Sequence, residues 1–196
     1  MADYYLRMSL ANSITCLRIL LAPIITALLF APEVPYSLAV AAGLFVLAML
    51  TDLVDGRIAR AYKQSSQVGG HLDGLADKLL WNLLLFSFAA FGLVPFWFAA
   101  IVFTRDALAT EFKSIAAIRG VKMAVTSFEG KAKVALQSVG LCFGFAALLG
   151  SEYWPLALDY IVVLAQLCMG CFVIALLFGL VNFYKDVVRN FKKVLR

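Results

Sequence analysis

Apolar stretches of about 20 residues recur along the chain, and they limit the folds that this sequence can adopt. A helix needs about 20 mostly apolar residues to cross the hydrocarbon core of a bilayer. Hydrophobic residues make up 63% of the 196 positions and the mean hydropathy is +0.91, whereas soluble domains are about 45–50% apolar. The sequence therefore predicts an all-α integral membrane protein.

Six transmembrane helices can be placed between short turns, in one domain that covers residues 1–196. The predicted spans are 13–30, 36–60, 72–91, 96–117, 131–149 and 156–183, the second of which continues beyond the lipid boundary. Residues 1–10 mix charged side chains with aromatic and aliphatic ones. Such a segment is typical of an amphipathic helix that lies on the membrane surface.

The distribution of basic residues predicts the orientation in the membrane. The predicted turns 31–36, 92–95 and 150–155 contain no lysine or arginine, so all 17 basic residues belong to the opposite side. Basic residues favour the cytosolic side. Both termini and the acidic segment described next are therefore expected on the cytosolic side of the cell membrane. The net charge of +5 is explained by this pattern and by anionic lipid, so no nucleic-acid partner is predicted.

Two pairs of aspartates lie within residues 52–77. Asp52 and Asp55 are three residues apart, and Asp73 and Asp77 are four apart; either spacing places both carboxylates on one face of a helix. The polar residues 63–67 predict a turn that folds the second helix against the first. Four carboxylates in one pocket require cations among them. Oxygen ligands favour Mg²⁺ or Mn²⁺ over zinc, so this hairpin is a predicted metal site.

The same segment carries a longer pattern, Asp52-x2-Asp55-Gly56-x2-Ala59-Arg60-x8-Gly69-x3-Asp73-x3-Asp77. It resembles, position for position, the signature of the CDP-alcohol phosphotransferase family. The resemblance implies that a phosphatidyl or similar group passes from a CDP-linked donor to an alcohol, with release of CMP. It also implies two divalent ions at the site and a homodimer.

The resemblance suggests a role for each signature residue. Asp52, Asp55 and Asp73 match metal ligands. Asp77 matches a further ligand and also the catalytic base, which takes the proton from the attacking hydroxyl. The residues that match the CDP-donor-binding positions are Gly56, Ala59, Arg60 and Gly69.

The wider chain is similar to the phosphatidylglycerophosphate synthase branch, in which the donor is CDP-diacylglycerol and the acceptor is glycerol 3-phosphate. The similarity lies in Asn12-x2-Thr15-x2-Arg18, in Ala76-Asp77-Lys78, and in Arg105 with the segment 130–133. A phosphorylated acceptor needs cations around it. The predicted acceptor-phosphate residues are Arg105, Lys113, Arg119, Lys131 and Lys133; a role in topology alone is the alternative for each of them.

Three departures keep the acceptor open. Gly74 replaces the usual proline of that branch, Asp106 replaces its usual glutamate, and Gly69-Gly70 adds a flexible residue. Inositol phosphate, serine or another alcohol is therefore an alternative acceptor. A cation transporter that uses the aspartates as an ion path is an alternative of another class. Transporter sites usually lie near the bilayer midplane between repeated halves, so the predicted cytosolic edge and the lack of a clear repeat favour the transferase.

Overall fold

The computed structural model describes residues 17–62, 67–121 and 127–195, and it describes side chains for residues 17–51, 74–121 and 127–190. These residues form helices joined by short turns, with no strand among them, which confirms the predicted all-α class. The helices are α1 (Leu17–Leu29), α2 (Ser37–Tyr62), α3 (Gln67–Ala90), α4 (Phe96–Ile118), α5 (Phe128–Tyr153) and α6 (Leu158–Leu195). The predicted surface helix (1–10) and residues 63–66 of the predicted hairpin turn lie outside the described residues.

The predicted turn at 150–155 begins later than expected, because α5 continues through Gly150 to Tyr153. Trp154 ends the helix with φ −134° and ψ 61°, and its N–H bonds to the carbonyl of Gly150. The residue before a proline is disfavoured in the helical region. The helix therefore ends at Trp154, the residue before Pro155. Gly150 does not end it, because its φ is not positive.

The sixth span was predicted to end at residue 183, but α6 extends to Leu195. Two side chains of this extension form ion pairs with residues of α4 and α5. Lys185 bonds to Glu129 of α5, and Asp186 lies 3.5 Å from Lys113 of α4. Contacts on two neighbouring helices thus support the extension of α6 beyond residue 183.

Two of the described helices are long and apolar enough to cross a membrane. They are α5 and Leu158–Asn190 of α6. Helix α4 has the required length, but it carries Arg105, Asp106, Glu111 and Lys113. Leu17–Leu29 and Ser37–Thr51 are shorter apolar helices. The described fold therefore supports an apolar helical protein, and the remaining predicted spans stay a prediction.

The chain divides into two compact units, Met1–Ser87 and Phe88–Arg196. In the first unit, Ile25, Phe45 and Leu84 are fully buried. In the second unit, α5 and α6 approach closely because Gly140 leaves room for the ring of Phe172. A side chain at Gly140 would overlap that ring, so this glycine brings the two backbones together.

Candidate active site

The structure places each aspartate pair within one helix, as the spacing predicts. Asp52 and Asp55 belong to α2, and Asp73 and Asp77 belong to α3. The side chains at positions 52–73 are outside the described part of the structure, as are those of the predicted donor-binding residues. The positions concerned are Asp52, Asp55, Gly56, Ala59, Arg60, Gly69 and Asp73. Their metal-binding and donor-binding roles therefore stay predictions.

Asp77 is the one predicted aspartate whose side chain is described. Arg18 of α1 donates from Nη1 to Oδ1 of Asp77 at 2.7 Å. The arginine side chain is 3% exposed, whereas Asp77 is 49% exposed. A charge-assisted hydrogen bond of this length restricts the orientation of the carboxylate. Arg18 thus holds Asp77 from the protein side, while about half of the aspartate surface stays accessible.

Sequence reasoning related Arg18 to the family pattern but did not find its contact with Asp77. Arg18 lies at the beginning of an apolar stretch. A charged residue in such a stretch usually pairs with another polar group. That rule requires a partner for Arg18, but it does not say which carboxylate, because residues 18 and 77 are brought together by the packing of α1 with α3.

A second cluster of charges lies within the unit that begins at Phe88. Arg105 of α4 donates from Nη1 to Oδ1 of Asp106 at 2.6 Å. Lys133 of α5 donates to both oxygens of the same carboxylate, at 2.6 and 2.7 Å. Arg105 and Asp106 are buried and the side chain of Lys133 is 16% exposed. Among the side chains that the structure describes here, two cations share one anion, which leaves a net positive charge that suits the binding of an anion.

Helix α6 supplies a third contact to the cluster. Nη2 of Arg105 donates to the backbone carbonyl of Gly179. The guanidinium is therefore held by Asp106 on its own helix and by the backbone of α6. Neither Asp106 nor Gly179 was predicted as a site residue, although Asp106 was noted as a departure from the usual glutamate.

The five predicted acceptor-phosphate residues do not occupy one place. Arg105 and Lys133 share the carboxylate of Asp106. Lys113 lies about 12 Å farther along α4 at the usual rise per residue, and it pairs with Asp186 instead. Arg119 follows the end of α4 and is exposed. Lys131 is also exposed and lies two residues from Lys133, which puts the two lysines on nearly opposite faces of α5.

The beginning of α5 is fixed against α6 by a capping residue that sequence reasoning missed. Oγ of Ser127 accepts from the N–H of Gly130 at 3.0 Å and donates to Oδ1 of Asn182 at 2.7 Å. A serine that precedes a helix and accepts from the third residue after it is a typical N-cap. This cap fixes the first turn of α5, and Lys133 follows in the second turn.

An apolar groove of about 400 Å³ lies between α4 and α6. Arg105 is a lining residue, and the other lining residues are Ala100, Ile101, Thr104, Leu108, Leu180 and Phe183. The guanidinium thus has a polar cluster on one side and an apolar surface beside it.

Comparison with known proteins identifies the family. A sequence model of the CDP-alcohol phosphatidyltransferase family matches residues 8–181. A Mycobacterium tuberculosis H37Rv protein named "Probable phosphatidylglycerophosphate synthase" is 33% identical, over 80% of this chain and 73% of the relative. A Bacillus subtilis protein named "CDP-diacylglycerol--glycerol-3-phosphate 3-phosphatidyltransferase" is 32% identical, over 68% of this chain and 74% of the relative.

The likeness extends, over a shorter part of the chain, to proteins with another product in their name. A Rattus norvegicus protein named "Cardiolipin synthase (CMP-forming)" is 38% identical, over 51% of this chain and 32% of the relative. The aspartate signature, the match over residues 8–181 and the two bacterial relatives agree with one another. The chain belongs to the CDP-alcohol phosphatidyltransferase family.

Proposed function

We propose that this protein transfers a phosphatidyl group from CDP-diacylglycerol to glycerol 3-phosphate, forming phosphatidylglycerophosphate and CMP. Family membership supports the CDP-linked donor, and the names of the two bacterial relatives favour this acceptor. The observation that carries the proposal is the net positive cluster of Arg105, Asp106 and Lys133. A phosphorylated acceptor needs such a cluster, whereas an uncharged alcohol does not.

The donor half of the proposal concerns the aspartates of α2 and α3. Two pairs of carboxylates at helical spacing on consecutive helices form an all-oxygen donor set that fits Mg²⁺ or Mn²⁺. Asp52, Asp55, Asp73 and Asp77 would hold two such ions, which would neutralise charge on the donor diphosphate and on the departing CMP. Gly56, Ala59, Arg60 and Gly69 would contact the CDP part of the donor.

Asp77 has a further proposed role as the general base. Its carboxylate would accept the proton of the acceptor hydroxyl as that oxygen attacks the phosphorus atom of the donor. The bond from Arg18 would keep the carboxylate in one orientation during this step, which matters because catalytic groups act over short distances. Arg18 is therefore a positioning residue in this proposal.

The acceptor half of the proposal rests on Arg105 and Lys133. A guanidinium binds a phosphate with paired hydrogen bonds, and a lysine adds a point charge. Asp106 lies between the two cations and limits their mutual repulsion. Lys113, Arg119 and Lys131 stay predicted as acceptor residues from the sequence, and their contacts in the structure do not join them to this cluster.

The setting of the reaction is the third part of the proposal. Six membrane spans, with both termini and the aspartate segment in the cytosol, would give water-soluble glycerol 3-phosphate access to the site while acyl chains stay in the bilayer. The apolar helices α5 and α6 and the basic-residue pattern of the sequence support this arrangement. A homodimer stays a prediction from the family resemblance.

The acceptor can be identified directly with purified protein and CDP-diacylglycerol. Offered glycerol 3-phosphate, inositol phosphate, serine or phosphatidylglycerol in separate reactions, the protein should release CMP with glycerol 3-phosphate and form phosphatidylglycerophosphate, as measured by mass spectrometry of the lipids. A reaction without acceptor gives the background of donor hydrolysis. Product formation from one of the other three acceptors, and none from glycerol 3-phosphate, would refute the proposed acceptor.

Metal dependence should appear as loss of CMP release in excess chelator, because four carboxylates cannot hold an anionic diphosphate without cations. Added Mg²⁺ or Mn²⁺ should restore the rate. The variant Asp52→Asn should need a higher metal concentration for half-maximal rate than the wild type. Undiminished turnover in excess chelator would contradict the metal site.

The positioning role of Arg18 predicts that Arg18→Met lowers kcat by about ten- to a hundredfold, because a displaced catalytic group costs that much. The apolar replacement keeps most of the stem that packs in the interior, and the carboxylate left behind is half exposed and can be hydrated, so the unfolding temperature should stay near that of the wild type. Arg189→Met, at an exposed position of α6, is the matched control and should retain normal turnover. An Arg18→Met protein that is folded and fully active would exclude the role.

The proposed orientation can be measured with reporter fusions. Alkaline phosphatase joined after Glu33, Leu93 or Trp154 should be active, because these turns lack basic residues and should lie outside the cytosol. The same reporter after Gly120 or Arg196 should be inactive, and a green fluorescent protein should show the opposite pattern. Active phosphatase at Gly120 would contradict a cytosolic connection between α4 and α5.

A further inference from the structure

We propose that Gly179 is a positioning residue for the acceptor phosphate. Because it has no side chain, the guanidinium of Arg105 can lie directly against the backbone of α6 at this position. This inference rests on the proposed function, in which Arg105 binds that phosphate. Gly179 itself would not touch the substrate.

The space at Gly179 is taken by Arg105. A Cβ atom built on Gly179 would lie 2.8 Å from Cζ of Arg105 and 3.1 Å from both terminal nitrogens. The guanidinium is rigid and planar, so it would have to move as a whole. The φ of Gly179 is not positive, so backbone conformation does not require a glycine here. The requirement comes from the close approach of the Arg105 side chain to the backbone.

The backbone of Gly179 also uses one donor of Arg105 and leaves others for a ligand. A guanidinium carries five N–H donors; the bonds to Asp106 and to the Gly179 carbonyl use two of them. Nε is buried and has no hydrogen-bond partner among the residues that the structure describes, and the whole side chain is 9% exposed. The two bonds leave the second N–H of Nη1 and the second N–H of Nη2, and a phosphate oxygen is the acceptor that the proposed reaction supplies for them.

The surroundings leave Arg105 little choice of another position. Asp106 holds Nη1 and is itself held by Lys133 of α5. The groove beside the guanidinium is lined by apolar side chains such as Leu108, Leu180 and Phe183, where a displaced charge would lose its hydrogen bonds. A side chain at position 179 would therefore turn the guanidinium away from its present plane and misalign the donors that remain.

The test is Gly179→Ala in the full-length protein, with the KM of each substrate measured separately. We expect the KM for glycerol 3-phosphate to rise about tenfold or more, as when a charge-assisted hydrogen bond is lost. The KM for CDP-diacylglycerol should not change. Gly170→Ala in the same helix is the matched control, because a Cβ there meets nothing within 4 Å, and it should behave like the wild type in both constants.

A second variant separates positioning from a general loss of structure. Arg105→Met removes the guanidinium, so Gly179→Ala added to it should raise the KM for glycerol 3-phosphate no further. Effects that multiply in the double variant would overturn the proposal, and so would a folded Gly179→Ala protein with a normal KM for glycerol 3-phosphate, or one in which both KM values rise alike. If the wild type makes no phosphatidylglycerophosphate, the proposed function itself fails, and this inference fails with it.

Discussion

A buried guanidinium within an apolar helix is the constraint on which the second half of this structure depends. Arg105 would be costly to bury alone. Asp106 supplies the opposite charge, Lys133 supports Asp106 from α5, and the backbone of Gly179 completes the contact from α6. Three helices are thus joined at one charged group. Such a cluster is poor evidence of stability, since apolar residues would often serve as well; the proposed function gives it a role in binding an anion.

The same physical rule applies in the first unit, where Arg18 is buried against the half-exposed Asp77. In both places an arginine from an apolar helix fixes a carboxylate by a charge-assisted hydrogen bond. The difference lies in which partner stays accessible. In the first unit the carboxylate is exposed, as expected of a group that exchanges a proton or binds a metal. In the second unit the carboxylate of Asp106 and the guanidinium of Arg105 are both buried.

The sequence predicted helices well where the chain carries local signals. The predicted third span ends at residue 91 and α3 ends at Ala90, and the predicted fourth span ends at residue 117 and α4 ends at Ile118. The end of α5 was predicted four residues too early, at residue 149, although the sequence Trp154-Pro155 marks it. Helix ends were predicted less accurately where they depend on contacts with residues far away in the sequence. The extension of α6 past residue 183 bears Lys185 and Asp186, which pair with Glu129 and Lys113, and no local pattern reveals such pairs. Arg105 and Lys133 were predicted together, but so were Lys113, Arg119 and Lys131, which the structure places elsewhere.

The sequence by itself determined the apolar helical class, the helical spacing of the aspartates and the family, because hydropathy, periodicity and an eight-residue signature are all properties of neighbouring positions along the chain. Only the tertiary structure decided that Arg18 meets Asp77, that Asp106 joins Arg105 to Lys133, and that Gly179 lies under the guanidinium. These contacts join residues up to 74 positions apart. They depend on the way the helices pack. The need for glycine at position 179 comes from Arg105 on another helix, so no local sequence pattern reveals it.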